Sequence, residues 1–456
     1  MNSPLNNAAD PRVVRVGVFF DGTGKNGNTL KFSPTETFNV TNIFRLHKHY
    51  GMCNPDDEPS SYLKVYVEGI GTMDNKADDL YSIVTGDEAL FGVKGYGPDS
   101  KMELCLQRIE NELMQFLSAP GHESEPVCIE FDVFGFSRGA VLARHFTNLI
   151  ADNDDSLANM LRGVEKKSGR EFDDVPLVNF LGLFDTVGSF FDNTVFEHEP
   201  HDTGYTRNLK VKVGKDAARH AFQLNAMHEC RFNFALHSLH GHFPEITIAG
   251  AHIDVGGGYA EVMHETKDIS TYRIYLPFSY AKTRVNQKLQ MLKTGKMAKL
   301  LKEPFIYVGS ERWRCFARNV RTVKGHLQFV AFIAMLKVAV QHGCKFDQSY
   351  RLYEKLIPDN LMPYLSQVVA LAKRSSLGDS GEIDMSLIDD IAAEYVHLSA
   401  SWNSCLDLYG DIIRDSKSCM SVGQTDKLQQ KTINLDVLNN YQPDRPDFNW
   451  VRKVFL

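Results

Sequence analysis

What this sequence lacks narrows its function before any motif is read. Its eight cysteines, Cys53, Cys105, Cys128, Cys230, Cys315, Cys344, Cys405 and Cys419, form no C-x-x-C pair, so neither a zinc site nor a small disulfide scaffold is indicated and reduced thiols are expected. No basic run is interleaved with aromatics, and 50 Lys and Arg against 57 Asp and Glu leave a net charge of -7, which argues against a nucleic-acid partner. The most apolar stretch, Leu327 to Val340, contains Lys337 and is shorter than the roughly twenty residues a bilayer crossing needs, so a core helix is expected there. The opening segment MNSPLNNAADPRVVRVGVFF shows neither a basic n-region nor an apolar h-region before its first strand, and classical export is not expected. No internal repeat is present.

What is there begins with enough apolar material, 43% of 456 residues, to bury one large core and an accessory domain. The most informative segment is Val127 to Ala140, VCIEFDVFGFSRGA, in which an apolar β-rich run enters Gly135-Phe136-Ser137-Arg138-Gly139. Val141, Leu142, Phe146, Leu149 and Ile150 then recur at helical spacing. A strand, a sharp G-x-S-x-G turn and a helix are the context of a nucleophile elbow, which projects a serine hydroxyl towards an ester. The plainer reading is a small residue in a tight turn.

Partners for Ser137 follow in the order Ser, Asp, His. Val175 to Phe184 reads as a buried strand and delivers Asp185 at its C-terminal end, where ligands of open α/β sheets gather. Asp185 is a triad acid or a turn or cap carboxylate. Ile246 to Gly250 reads as a third strand and leads into Ala251-His252-Ile253-Asp254-Val255-Gly256-Gly257-Gly258-Tyr259. His252 is a general base or a hydrogen-bonded structural histidine, with His397 as the alternative base. Near the start, strand Val13 to Phe20 precedes the turn Asp21-Gly22-Thr23-Gly24-Lys25-Asn26, so the amides of Gly22 and Thr23 join that of Arg138 as candidate oxyanion donors. The turn fails the phosphate-loop pattern at Phe19 and at Asn26, and nucleotide binding there is rejected.

These blocks, FFDGTGKN at 19 to 26, GFSRGA at 135 to 140, GLFDTVGS at 182 to 189 and GAHIDVGGGY at 250 to 259, resemble the signature blocks of a bacterial α/β-hydrolase family that includes the first class of type VI secretion lipase effectors. The resemblance covers roughly residues 13 to 260, with a weaker echo at Tyr395 to Asn403. It implies Ser137 as nucleophile, Asp185 as orienting acid and His252 as base, without metal or cofactor. It further implies phospholipase A activity on membrane glycerophospholipids in a rival cell's periplasm. A secretion-spike carrier and an immunity protein are its implied partners, and the producer's cytoplasm its place of origin. The family often has an acidic pair followed by arginines in a helix before the histidine block; here Ala226-Met227-His228-Glu229-Cys230-Arg231 matches it in part.

The expected architecture is an α/β-hydrolase with a mainly parallel sheet and a helical insertion. Residues 1–260 are read as the catalytic core, 261–382 as a helical cap or membrane-facing module, and 383–456 as a segment returning to the core. Further helices are expected near Thr37 to His47, at Met102 to Leu117 and at Met385 to Tyr395, with a strand at Tyr62 to Val67 and a linker at Leu377 to Glu382. Residues 69 to 100 read as a long loop. Lys282 to Lys302 reads as a solvated helix face over core, or as an amphipathic helix at a membrane. His198, Glu199, His201 and Asp202 are read as a solvated loop rather than a metal site, and His237, His240 and His242 similarly. A carboxylesterase for soluble esters and a non-catalytic interaction protein on a hydrolase scaffold are the competing functions.

Overall fold

The computed structural model describes residues 12–29, 37–51, 62–79, 93–119, 127–172, 175–190, 208–273, 278–301, 306–311, 314–402 and 450–455, with a few isolated positions between them. Its centre is built from runs of β-branched and aromatic residues, the side chains that pack best on a pleated surface. They form β1 (Arg12–Phe20), β2 (Tyr62–Val67), β3 (Val127–Phe136), β4 (Leu177–Phe184) and β5 (His220–Ala226), then β6 (Leu236–His237) and β7 (Glu245–Ile248). Six of these make one sheet in the order β2-β1-β3-β4-β5-β7, and every neighbouring pair is parallel. A parallel sheet must be covered on both faces, and its strands therefore alternate between two cores. On β1, Val14, Val16, Val18 and Phe20 face one core and Phe19 the other; on β3, Phe131 and Val133 oppose Phe134 and Phe136.

Helices Pro98–Leu117, Arg138–Ala151 and Asp155–Ser168 cover the first face. The second is covered by Asn42–His49 and Met362–Ser375 around Leu327–Gln341, whose residues from Leu327 to Leu336 are all buried. The apolar stretch is a core helix, and among the described residues no helix is long and apolar enough to cross a membrane. Strand Tyr62–Val67 and helix Met385–Tyr395 lie where the sequence puts them. Helix Asn42–His49 starts later than expected because the Thr41 side chain caps it, accepting from the amide of Phe44. The five described cysteines that are buried, Cys105, Cys128, Cys230, Cys315 and Cys344, are free thiols.

The stretch after Tyr259 differs from the helix-rich expectation. β8 (Val262–Arg273), β9 (Ile306–Glu311) and β10 (Arg314–Lys324) form an antiparallel sheet in the order β8-β10-β9, on which helix Phe278–Leu292 packs. Strand signals were hidden because β8 buries charges in place of an apolar alternation: Glu265 and Asp268 pair with Arg321 at 2.9 Å and Arg318 at 2.5 Å on β10. The basic stretch starting at Lys282 is helical only to Leu292 and continues as turns around Gly295. Part of the 69–100 loop lies outside the described residues, as does the cluster at His198 to Asp202.

Candidate active site

The strand order reverses between β1 and β3, and in open α/β sheets the crevice outside the carboxyl ends of such neighbours is where ligands bind. The turn after β1 and the serine after β3 meet there. Ser137 has φ 58 and ψ -127, a region costly for any side chain other than glycine's, and helix Arg138–Ala151 starts at the next residue. The flanking glycines explain how the chain tolerates the turn. A Cβ on Gly135 would stand 2.5 Å from Ala140 Cα, and one on Gly139 would stand 2.3 Å from the carbonyl oxygen of Asp21. Only hydrogen fits at these two contacts.

Asp185 leaves the sheet beside Ser137. Phe136 and Phe184 are register partners at the ends of β3 and β4, the Ser137 amide donates to the Phe184 carbonyl at 3.2 Å, and the Val187 amide donates back to the Ser137 carbonyl at 3.4 Å. Asp185 also has positive φ, 44, and is fully buried. Its Oδ2 accepts from His252 Nδ1 at 2.6 Å, and its Oδ1 from the Ala226 amide at 2.9 Å. The His252 ring rests on Phe136, centroids 4.6 Å apart, and meets the edge of Phe234 at 5.0 Å. The three sequence-predicted residues thus converge at the ends of β3, β4 and β7. An ionised carboxylate only accepts, so Nδ1 carries a proton and the neutral ring presents a lone pair at Nε2. Among the described residues, that Nε2 is buried without a hydrogen-bond partner.

Electrostatics favour the neutral form of His252. Burial lowers the proton affinity of His252 and Asp185 opposes the shift, while Arg231 lowers it and Glu229 raises it; the net effect is below the ordinary 6.5. Burial alone would push Asp185 up, but Arg452, then His252, outweigh it and hold the carboxyl well below the usual range.

Of the expected oxyanion donors, the Gly22 amide is committed to the Asp21 carboxylate at 2.7 Å. The Thr23 amide has no such partner among the described residues, and the Thr23 hydroxyl accepts from Arg138 Nε at 2.8 Å, tying the two loops together. Arg138 is the first residue of its helix, where amides point outward along the axis. His397 sits elsewhere: fully buried, it is stacked on Tyr259 at 3.7 Å and bonded through Nδ1 to Asp254 at 2.7 Å. The segment 226–231 is no helix but the end of β5 and a turn. Glu229 takes the amides of Cys230 and Arg231 at 2.9 and 2.8 Å, which removes the need for helical acceptors. Glu229 also accepts from His252's amide at 3.3 Å and from the Ser399 hydroxyl. Sequence reasoning left Glu229 open, because its bonds to the His252 amide and the Ser399 hydroxyl are long-range, and missed Arg452, whose partner Asp185 lies 267 residues earlier in the chain. Among the described residues no group of three or more His, Cys, Asp or Glu side chains is arranged to hold a metal.

With this geometry in hand, comparison with known proteins is informative. Residues 151–275, which include Asp185 and His252 but begin after Ser137, match the family model for the catalytic domain of type VI secretion system Tle1-like phospholipase effectors. The family resemblance read from the four sequence blocks is borne out. A solved structure described as the Tle1 effector bound to the VgrG spike from the type 6 secretion system is similar over 97% of this chain and 93% of that one, with TM-score 0.68 and 21% identity. At that identity the likeness speaks for the fold, an α/β-hydrolase-like architecture on a parallel sheet. An uncharacterized protein from Pseudomonas aeruginosa aligns over 83% of this chain and 52% of its own, with 15% identity and TM-score 0.37. No curated protein sequence matches this chain.

Proposed function

We propose that the chain is a serine phospholipase of A type, which hydrolyses acyl esters of membrane glycerophospholipids as an antibacterial effector. The observation that carries the reading is the buried Asp185–His252 pair, in which Asp185 leaves its strand beside the elbow that carries Ser137 and the His252 ring packs on Phe136. Ser137 Oγ would give its proton to Nε2 while attacking the acyl carbon, and the amides of Arg138 and Thr23 would receive the oxyanion. The imidazolium, held by Asp185, would then protonate the departing lysophospholipid alkoxide, and water would release the fatty acid by the same steps. Lys25 supports a phosphodiester-bearing substrate. Its ammonium stands beside Gly258, a Cβ there lying 3.2 Å from Nζ, and is drawn electrostatically to the buried carboxylate of Asp21.

The family match supports delivery by a type VI apparatus, and the Tle1 structure, bound to a VgrG spike, supports a spike protein as carrier. A cognate immunity protein, origin in the producer's cytoplasm and action in a target periplasm complete the reading. Residues 261–382 would serve as the cap or membrane-facing part beside the 1–260 core. Targeting the chain to the periplasm of a test bacterium should arrest growth and release free fatty acids, while cytoplasmic expression is tolerated. Equal growth with wild type and Ser137→Ala at matched protein levels would favour the soluble-ester alternative.

A further inference from the structure

The last residues of the chain reach the site from its far end. β11 (Val454–Phe455) pairs in parallel with β6, the Leu236 amide donates to the Lys453 carbonyl at 2.9 Å and the Ser238 amide to that of Phe455 at 2.9 Å, and Trp450 is buried. This strap sets Arg452 against Asp185: Nη1 donates to Oδ1 at 2.5 Å and Nη2 to Oδ2 at 2.9 Å. Nε donates to the Phe234 carbonyl at 2.7 Å, and the Phe234 ring is the one that meets the edge of His252. One guanidinium therefore touches both supports of the histidine, its acid and its aromatic wall.

We propose that Arg452 is a positioning residue of the hydrolytic site, clamping both oxygens of Asp185 in the plane that receives the His252 Nδ1 proton. The inference rests on the Ser137–His252–Asp185 reading above. A bidentate guanidinium fork fixes the plane of a carboxylate as a single donor does not. Without it, the Ala226 amide alone would orient Oδ1, and the fully buried Asp185 would lose its balancing charge. The clamp also offsets part of Asp185's pull on the imidazole. The other groups that face His252 are Glu229, through the backbone amide, and Arg231, packed on the Phe234 ring; Asp254 bonds to the Ala251 amide and to His397 instead. None of these four contacts is made by the Arg452 guanidinium. Losing the guanidinium should therefore raise the proton affinity of His252.

The test uses the full chain and a dispersed short-chain phospholipid. Arg452→Ala should lose about a hundredfold in kcat with little change in KM, the size expected when a group orienting a reacting residue is removed. The acidic limb of its kcat/KM profile should move to higher pH, and millimolar guanidinium ion should restore part of kcat. Arg452→Lys, which keeps the charge but offers no planar fork, should lose kcat while its acidic limb stays near wild type; it carries the test if the alanine variant does not fold. Wild-type kcat and an unmoved limb in Arg452→Ala would overturn the proposal. So would a loss of activity that tracks only the folded fraction, with no pH shift and no rescue. Neither result touches the triad, which fails separately if Ser137→Ala remains active.

Discussion

Replacing Asp185 by asparagine changes one atom, and the structure says why the site does not absorb it. All four hydrogen bonds to the carboxylate are donated to it: Oδ1 takes the Ala226 amide and Arg452 Nη1, and Oδ2 takes His252 Nδ1 and Arg452 Nη2. An amide nitrogen in place of Oδ2 would face two donors, and the cheapest relief is for the imidazole to move its proton from Nδ1 to Nε2. That tautomer has no lone pair for Ser137. The reverse flip would instead set the amide nitrogen against the Ala226 N–H. The loss of a correctly held tautomer costs about ten-thousandfold in kcat, about 5 kcal/mol of transition-state stabilisation. Arg452, its side chain 8% exposed, would also lose its counter-charge, and breaking such a pair costs about 3–5 kcal/mol of stability. The assay is fatty-acid release from phospholipid micelles by Asp185→Asn, normalised to folded protein by circular dichroism. A folded variant with more than about a tenth of wild-type kcat would refute the reasoning, because a mere helix-cap aspartate predicts that result.

Three further outcomes follow from the same geometry. Gly139→Ala drives a methyl to 2.3 Å from the Asp21 carbonyl and 2.5 Å from that of Phe20, both backbone atoms, so thermal melts should show a clear loss of stability and the remaining folded enzyme should be nearly inactive. His397→Gln should lower the melting temperature, since the buried Asp254 loses its 2.7 Å partner, yet keep most of its turnover per folded molecule; turnover as low as that of His252→Ala would move the base to His397. Because the proposed mechanism needs neutral His252 and burial sets its folded value below 6.5, kcat/KM should fall only as pH drops below that point; an acidic limb centred above 7 would contradict the assigned environment.

The sharp turn at Ser137 and the places of Asp185 and His252 just past strand ends were legible because each follows an apolar strand and is framed by glycines, signals that live within ten residues. Both helix Met385–Tyr395 and the buried helix beginning at Leu327 were legible for the same reason, their periodicity or sheer apolarity being local. β8 was not, because its interior positions carry Glu265 and Asp268, whose partners on β10 are visible only once the strands are side by side. Arg452 was beyond reach: its meaning comes from an acid 267 residues earlier in the chain. The choice between Gly22 and Thr23 likewise needed coordinates, since the sequence does not show that the Asp21 carboxylate turns back on the Gly22 amide.

The most direct test of the central claim is active-site labelling. A fluorophosphonate probe should form one adduct per chain, on the peptide containing Ser137, and phospholipid hydrolysis should fall in proportion to labelling; His252→Ala should label slowly although its elbow is intact. Full hydrolytic activity in protein that the probe does not modify, or an adduct on another residue with Ser137 free, would contradict the account.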